Sequence, residues 1–331
     1  MPVSDLRARV DRALEEFLDD EVAELVALDA GLAPVAEQAR VSVAGGKRIR
    51  PAFCYWGWRA AGQPDTESMV RAAAALELVH AAAIVHDDII DRSPLRRGRP
   101  TAHQRLGDGL AIMVGDLLLG WAGQLFHASG LPRTFVARAV SLWTAMGREL
   151  IAGECLELLS TGAPADVGRS LRIVRFKTGS YTVEWPLRIG AVLGGAAPVM
   201  LEALAGYTRP LGEAFQLRDD LWGVFGDPAV TGKSDLDDLA GRKPTALLAL
   251  ALEHAGRADC EELQELLRGA VGVPEADRIR QIMRRSGAAD QVRQMIGERA
   301  GAARTALAGV RLAPETTRAL TLLIDEVTAD A

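Results

Sequence analysis

The chain has 331 residues, of which 49% are hydrophobic, 5% aromatic and 25% charged, and its formal net charge is −6. That is enough apolar material for one large core or two smaller ones, and the acidic balance argues against a general nucleic-acid or anionic-membrane surface. Three cysteines (Cys54, Cys155, Cys260) lie far apart and form no CxxC, so reduced thiols in a cytoplasm are expected. The start, Met1 to Asp11, is polar and mixed in charge, which reads as no signal peptide. No apolar run free of charges reaches the length of a membrane span, so the expectation is a soluble cytoplasmic protein.

Alanine, leucine and arginine dominate and aromatics are sparse, which favours helix over sheet. Residues 3–31 read as a first amphipathic helix, ended near Gly31 and Pro34. Gly45-Gly46-Lys47-Arg48-Ile49-Arg50-Pro51 is a tight basic loop leading into the next helix. Residues 68–91 form a long helix, apolar nearly all round, of the kind that sits at the centre of a bundle. Ser93-Pro94 stops it, and Arg96 to His103 is a basic loop bearing Gly and Pro. Long helices are expected over 108–129 and 132–160, an interrupted one over 169–195 with breaks at Gly179 and Pro186, and another over 198–224. Residues 226–242 read as a polar loop, and helices then continue to the end, broken near Gly272 to Pro274 and at Pro314. There is no alternating strand run, repeat or linker, so residues 1–331 read as one all-α domain.

Two acidic clusters carry the chemistry. The first is His86-Asp87-Asp88-Ile89-Ile90-Asp91 at the end of an apolar run. Residues four apart share a helix face, with Cβ atoms roughly 6 Å apart, so Asp87 and Asp91 point the same way with Asp88 beside them. Carboxylates that close repel one another in a dry site. A divalent cation removes that cost, and an oxygen-only set suits Mg²⁺. Arg96, Arg97 and Arg99 follow almost at once, as expected if the metal's other ligand is a diphosphate. The second cluster is Phe215-Gln216-Leu217-Arg218-Asp219-Asp220, again embedded in apolar residues. Two such clusters on separate helices make sense if they face each other across one cavity, as metal sites in helix bundles do.

Lysine usage is informative by itself. Among 38 Lys plus Arg there are only four lysines: Lys47, Lys177, Lys233 and Lys243. Each falls beside Gly, Thr, Ser or Pro in a loop or at a helix end, where a compact ammonium can reach phosphate oxygens. Gly226 to Ser234 resembles a phosphate-binding P-loop but has five residues between its glycines, where that motif needs four, so a P-loop is rejected. His80 lies two turns before Asp87 and His86 adjoins it, and either alone reads as a core position; His103, His127 and His254 read as structural.

With these residues assembled, the chain closely resembles the trans-isoprenyl diphosphate synthases, the polyprenyl synthetase family. The motifs GGKRIRP, HDDIIDRSPLRRGRPTAH, FKT, FQLRDD, GKSDL and GRKPT match in order and spacing over nearly the whole chain. The resemblance implies an all-α bundle around a deep central cavity, usually a homodimer, that is geranylgeranyl diphosphate synthase-like. It implies Mg²⁺, three ions per active site, held by Asp87, Asp91 and Asp219 with Asp88 and Asp220 in support. It assigns Arg96, Lys177, Thr178, Lys233, Lys243 and Gln216 to the allylic diphosphate (dimethylallyl, geranyl or farnesyl). Lys47, Arg50, His80 and Arg97 fall to isopentenyl diphosphate. Asp87, Asp88, Asp91, Asp219, Lys177 and Lys233 would be the catalytic set.

Gly223 stands where the family's second acidic motif ends in a third Asp, and Asp227 is one candidate to take over that contact. The product tail is expected to run back along the long helix at about one turn, 5.4 Å, per isoprene unit. It would pass Ala82 and Ala83, then Leu78 and Val79, with Trp121 and Trp143 as candidates for the floor. The small first layer points to the C20 product, geranylgeranyl diphosphate, over a farnesyl or longer-chain product. A class I terpene cyclase is the nearest enzymatic rival, but the chain has no asparagine for the second metal motif such cyclases use. A non-catalytic partner subunit is the rival from another class, and the intact acidic clusters weigh against it.

Overall fold

The structure is a computed structural model that describes residues 3–162, 166–226 and 237–329. Lys233 and Asp227 lie outside the described residues. The fold is all-α. Helices α1 (Val3–Leu28), α2 (Ala33–Val43), α3 (Ile49–Ala60), α4 (Glu67–Ile90), α5 (Ala102–Leu106), α6 (Asp108–His127) and α7 (Arg133–Ser160) come first. They are followed by α8 (Val167–Val174), a π-helical segment Arg175–Glu184, α9 (Trp185–Leu193) and α10 (Pro198–Phe225). A helical turn Asp237–Ala240 precedes five further helices, Ala246–His254, Arg257–Arg268, Val273–Arg285, Ala288–Ala308 and Pro314–Thr328.

The chain divides into two compact units. The first comprises Met1–Trp143, Trp185–Leu201 and Arg311–Leu320; the second comprises Thr144–Glu184, Glu202–Val310 and Thr321–Ala331.

In the first unit α4 is the core element. The Thr66 hydroxyl caps its start, accepting from the Met69 amide at 3.2 Å. Ala72, Ala73, Ala74 and Ala75 are all fully buried, so neighbouring helices come in close over their methyl groups. Helices α3 and α9 approach closely: a Cβ on Gly57 would stand 2.1 Å from the Leu187 carbonyl oxygen, and one on Gly190 would stand 1.8 Å from that of Cys54. In the second unit Leu217, Leu221 and Val224 of α10 join Leu247, Leu250, Ile279, Ile282 and Val292 in one apolar cluster.

One local expectation is corrected and others gain detail. Pro34 does not end the first helix; it sits in the first turn of α2, where its missing N–H costs nothing. The basic loop after α4 contains a two-residue antiparallel ribbon, Leu95–Arg96 with Arg99–Pro100, turned by Arg97 (φ 51°) and Gly98 (φ 72°). The interruption over 175–184 is a π-helix, and Pro210 is carried inside α10 without ending it. Two helices among the described residues, α4 and α6, are long and apolar enough to cross a membrane by length and composition, but each is interrupted by a charge, Glu77 in α4 and Asp116 in α6, so no charge-free run of that length occurs in them. For α4, 72% of that window is buried, which accounts for its apolarity; for α6 the share is 44%.

Candidate active site

In the first unit the aspartates end α4. Asp88 is buried, whereas Asp87 and Asp91 are half-buried. Asp88 Oδ1 accepts two hydrogen bonds from the Arg96 guanidinium, the one from Nε at 3.0 Å, and Arg96 lies 3.9 Å from Asp87. Burial disfavours the Arg96 charge, but the Asp88 hydrogen bonds and the charges of Asp88, Asp87 and Asp91 outweigh it and hold its pKa above the usual value. Asp87 and Asp91 therefore remain the more accessible carboxylates, one turn apart.

The next residue, Arg97, goes elsewhere. Because the ribbon turns at Arg97-Gly98, its guanidinium donates to the Ala44 carbonyl and lies along Gly45 and Gly46. Gly46 has φ 101°, and a Cβ there would be 3.1 Å from Arg97 Nη2, so both its backbone and its contact call for glycine. Burial lowers the Arg97 pKa, as do the charges of Arg48, Arg96 and Arg50, while Glu77 opposes them. Arg48 is buried with φ 57° and pairs with Asp11 at 2.7 Å and Glu77 at 3.1 Å. Arg50 is buried, His80 half-buried and Lys47 exposed. A cavity of about 250 Å³ opens here, lined by Arg96, Arg97, Arg99, Asp88, Gly45 and Thr101 among others. Several mutually repelling guanidinium groups at one cavity make a place for an anion.

The half-exposed stripe of α4 runs through His80, Ala83, Ile84 and Asp87. Leu78, Val79 and Ala82 are buried. Of the two small residues expected to form the first layer of a tail pocket, Ala83 therefore shares the accessible stripe with Asp87, and Ala82 is enclosed. Trp121 meets Phe17 edge-on at 6.5 Å, and Trp143 stacks on Phe126 at 4.4 Å. His86 packs over Gly115, with Nε2 3.3 Å from the Ile112 carbonyl.

In the second unit Lys177 projects from the π-helical segment to Glu157 at 2.7 Å and Glu154 at 2.9 Å, with Thr178 half-buried next to it. On α10, Gln216 donates to Asp220 Oδ1 at 2.7 Å and Arg218 donates to Asp219 at 2.7 Å. Burial pushes the Asp220 carboxyl up to about 8, against the Gln216 hydrogen bond and with the help of Asp238, Glu157 and Asp219. Its second oxygen, Oδ2, is buried without a hydrogen-bond partner. Lys243 stands 3.2 Å from Asp238.

These donors fit magnesium. They are hard oxygens, and Asp220 is a dry carboxylate among like charges that a cation would relieve. Among the described residues no three His, Cys, Asp or Glu side chains gather into a metal cluster by themselves. A magnesium ion here would complete its shell with substrate oxygens and water, as it does in phosphate-handling sites. Glu77, Glu154, Glu157 and Asp238 were not picked out from sequence. The fold places each beside a basic residue: Glu77 by Arg48, Glu154 and Glu157 by Lys177, and Asp238 by Lys243.

A family model described as polyprenyl synthetase matches residues 34–285. The geranylfarnesyl diphosphate synthase of Aeropyrum pernix is 35% identical over 252 residues, 75% of this chain and 78% of its own. The all-trans-nonaprenyl-diphosphate synthase of Rhodobacter capsulatus is 31% identical over 309 residues, 92% of this chain and 89% of its own. Among solved structures, geranylgeranyl pyrophosphate synthase from Corynebacterium glutamicum, complexed with isoprenyl diphosphate and magnesium, superposes with a TM-score of 0.95 at 33% identity, covering 100% of both chains.

Proposed function

The chain belongs to the polyprenyl synthetase family, and from that premise we propose that it condenses isopentenyl diphosphate head-to-tail with an allylic diphosphate to make geranylgeranyl diphosphate. One observation carries this reading: adjacent arginines that line one cavity turn to two different places in it. Arg96 is committed to the aspartates, and Arg97 is turned to the Gly45-Gly46 loop. Two diphosphates need two such places.

In the first unit, Asp87 and Asp91 would ligate magnesium, and Arg96 would hold the allylic diphosphate. Lys47, Arg50, His80 and Arg97 would hold isopentenyl diphosphate. In the second unit, Asp219 would ligate magnesium with Asp220 behind it. Lys177, Thr178, Gln216 and Lys243, together with Lys233, would hold the allylic diphosphate. Bound magnesium supplies Lewis-acid charge to the departing pyrophosphate. The lysines and arginines stabilise the negative charge that develops on the leaving oxygens. No side-chain nucleophile is needed, because the double bond of isopentenyl diphosphate attacks the allylic cation and the proton lost can go to the pyrophosphate. Ala83, small and on the same stripe as Asp87, supports a C20 product over a C15 one.

A homodimer is part of the proposal. The outer face of α6 presents Ile112, Met113 and Leu119 at 42%, 51% and 45% exposure, and side chains added at Gly109, Gly120 or Gly123 would meet nothing. A small-and-apolar helix face of this kind suits close docking of a second copy. The three free cysteines, with none paired, support a reducing, cytoplasmic setting.

The test is direct. Purified protein with Mg²⁺, labelled isopentenyl diphosphate and each allylic primer in turn should yield mainly the C20 diphosphate. Asp87→Ala and Asp219→Ala should each abolish it while leaving the fold intact. No condensation product with any primer would refute the reading.

A further inference from the structure

Arg48 belongs to the basic loop, but its guanidinium is engaged inside the protein. It is 6% exposed; Nε donates to Asp11 of α1 at 2.7 Å and Nη2 to the Val43 carbonyl at the end of α2 at 3.0 Å. Its Nη1 lies 3.1 Å from Glu77 Oε1 on α4. The backbone at Arg48 has φ 57°, a left-handed conformation that a residue with a Cβ keeps only where its surroundings hold it. Three helices thus fix one guanidinium, and that guanidinium fixes the backbone between Lys47 and Arg50. Glu77 is the deeper carboxylate of the two, 3% exposed, with Oε2 buried and without a hydrogen-bond partner. A Cβ on Gly46 would stand 3.6 Å from Glu77 Oε1 and 3.1 Å from Arg97 Nη2, so the bare glycine lets both close on the loop. Burial disfavours the Arg97 charge, as do Arg48, Arg96 and Arg50, and Glu77 favours it.

We infer that Glu77 is a positioning residue for isopentenyl diphosphate: through Arg48 it sets the loop that carries Lys47 and Arg50, and across Gly46 it faces Arg97. Arg48 is accordingly an internal cation of the loop and not a phosphate ligand. This rests on the reading that Lys47, Arg50 and Arg97 hold isopentenyl diphosphate. Two effects of opposite sign meet at Glu77. A carboxylate beside an anion site repels the anion, so by charge alone its removal should tighten binding. Its removal also leaves the buried Arg48 charge with one of its two carboxylates gone, which releases the loop. The second effect prevails, because breaking one side of a dry ion pair is far more costly than losing a long-range repulsion.

The experiment compares wild type, Glu77→Gln, Arg48→Met and the double variant Arg48→Met/Glu77→Gln. Binding of isopentenyl diphosphate is measured by titration calorimetry without turnover, and the KM of each substrate is measured separately from kcat. Glu77→Gln keeps shape and removes charge, and should weaken isopentenyl diphosphate about fivefold or more. Arg48→Met should weaken it about tenfold or more. The KM for the allylic diphosphate should stay within about twofold of wild type, which a general loosening of the fold would not allow. Because the two residues act as one unit, the double variant should bind within about twofold of Arg48→Met. Tighter binding by Glu77→Gln would reveal simple charge repulsion and overturn the inference. A double variant whose loss is the product of the two single losses would do the same. If circular dichroism shows that the Glu77 or Arg48 variants fail to fold, Asp11→Asn decides. It removes the more exposed carboxylate from the same guanidinium, and should weaken isopentenyl diphosphate about threefold with the allylic KM unmoved; wild-type binding would sink the inference. Wild-type protein that neither binds nor condenses isopentenyl diphosphate would overturn the functional reading along with it. Wild type that binds normally, with Glu77→Gln its equal, would overturn the inference alone.

Discussion

Lys177 and Glu157 are joined at 2.7 Å, and Glu154 closes on the same ammonium at 2.9 Å. The lysine is thus held between two carboxylates, so its position is set before any phosphate arrives. Removing it leaves two glutamates without the cation they share. Lys177→Ala is expected to raise the KM for the allylic diphosphate about ten- to a hundredfold, the loss of a charge-assisted contact of roughly 1.5–3 kcal/mol. The KM for isopentenyl diphosphate should move little. Steady-state kinetics with each substrate varied in turn checks this, and a change confined to isopentenyl diphosphate would reverse the assignment.

The accessible stripe of α4 sets a second expectation. Ala83 is half-exposed and lies one turn before Asp87, so Ala83→Phe should shorten the product to C15 or below with the fold intact. Ala82 is fully enclosed. A phenylalanine there overpacks a filled space and should cost about 1–3 kcal/mol of stability. Chromatography of the labelled products, alongside thermal melts, separates the two variants. An Ala83→Phe enzyme that still makes the wild-type length would show that another surface limits the tail.

Two glycines should respond in opposite directions. Gly57→Ala drives a methyl into the Leu187 carbonyl, which is backbone and cannot swing away, so a loss of about 2–4 kcal/mol is expected. Gly297 lies within Ala288–Ala308 with open space around it. Gly297→Ala should stabilise by roughly 0.5–1 kcal/mol through helix propensity alone. Denaturant melts of both variants measure the contrast, and equal effects would mean that the close approach of α3 and α9 is not as described.

Glu21 offers a pH test remote from the site. Burial raises its pKa, helped by Glu24 and Asp20, while the hydrogen bond from Gln124 works the other way. A carboxyl raised in the folded state binds its proton more readily there than in the unfolded chain. Its contribution to stability is full below the unfolded pKa of about 4.3 and is lost as pH rises through the folded value. Glu21→Gln should therefore be more stable than wild type at neutral pH, with the advantage fading as the medium is acidified. Thermal melts across pH that show a constant difference would rule out titration of Glu21 as the cause.

What could be read from the chain by itself was whatever depends on local spacing. Asp87 and Asp91 share a face because a helix repeats every 3.6 residues, and α4 is central because its residues are apolar on every side. The scarcity of lysine singled out Lys177 and Lys243, and both stand beside carboxylates in the structure. What the chain could not reveal depends on the approach of segments far apart in sequence. Whether Ala82 or Ala83 is open is decided by what packs on α4, since both are small and adjacent. That Arg96 and Arg97 part company is decided by the positive φ at Arg97 and by the Gly45-Gly46 backbone that receives it. Gly223 reads as a missing carboxylate in sequence, and only the tertiary structure brings the Asp238 carboxylate close to its α-carbon. Helical periodicity is a short-range property that residue spacing encodes directly, whereas contacts of this second kind exist only once the tertiary fold has brought two backbones within a few ångströms.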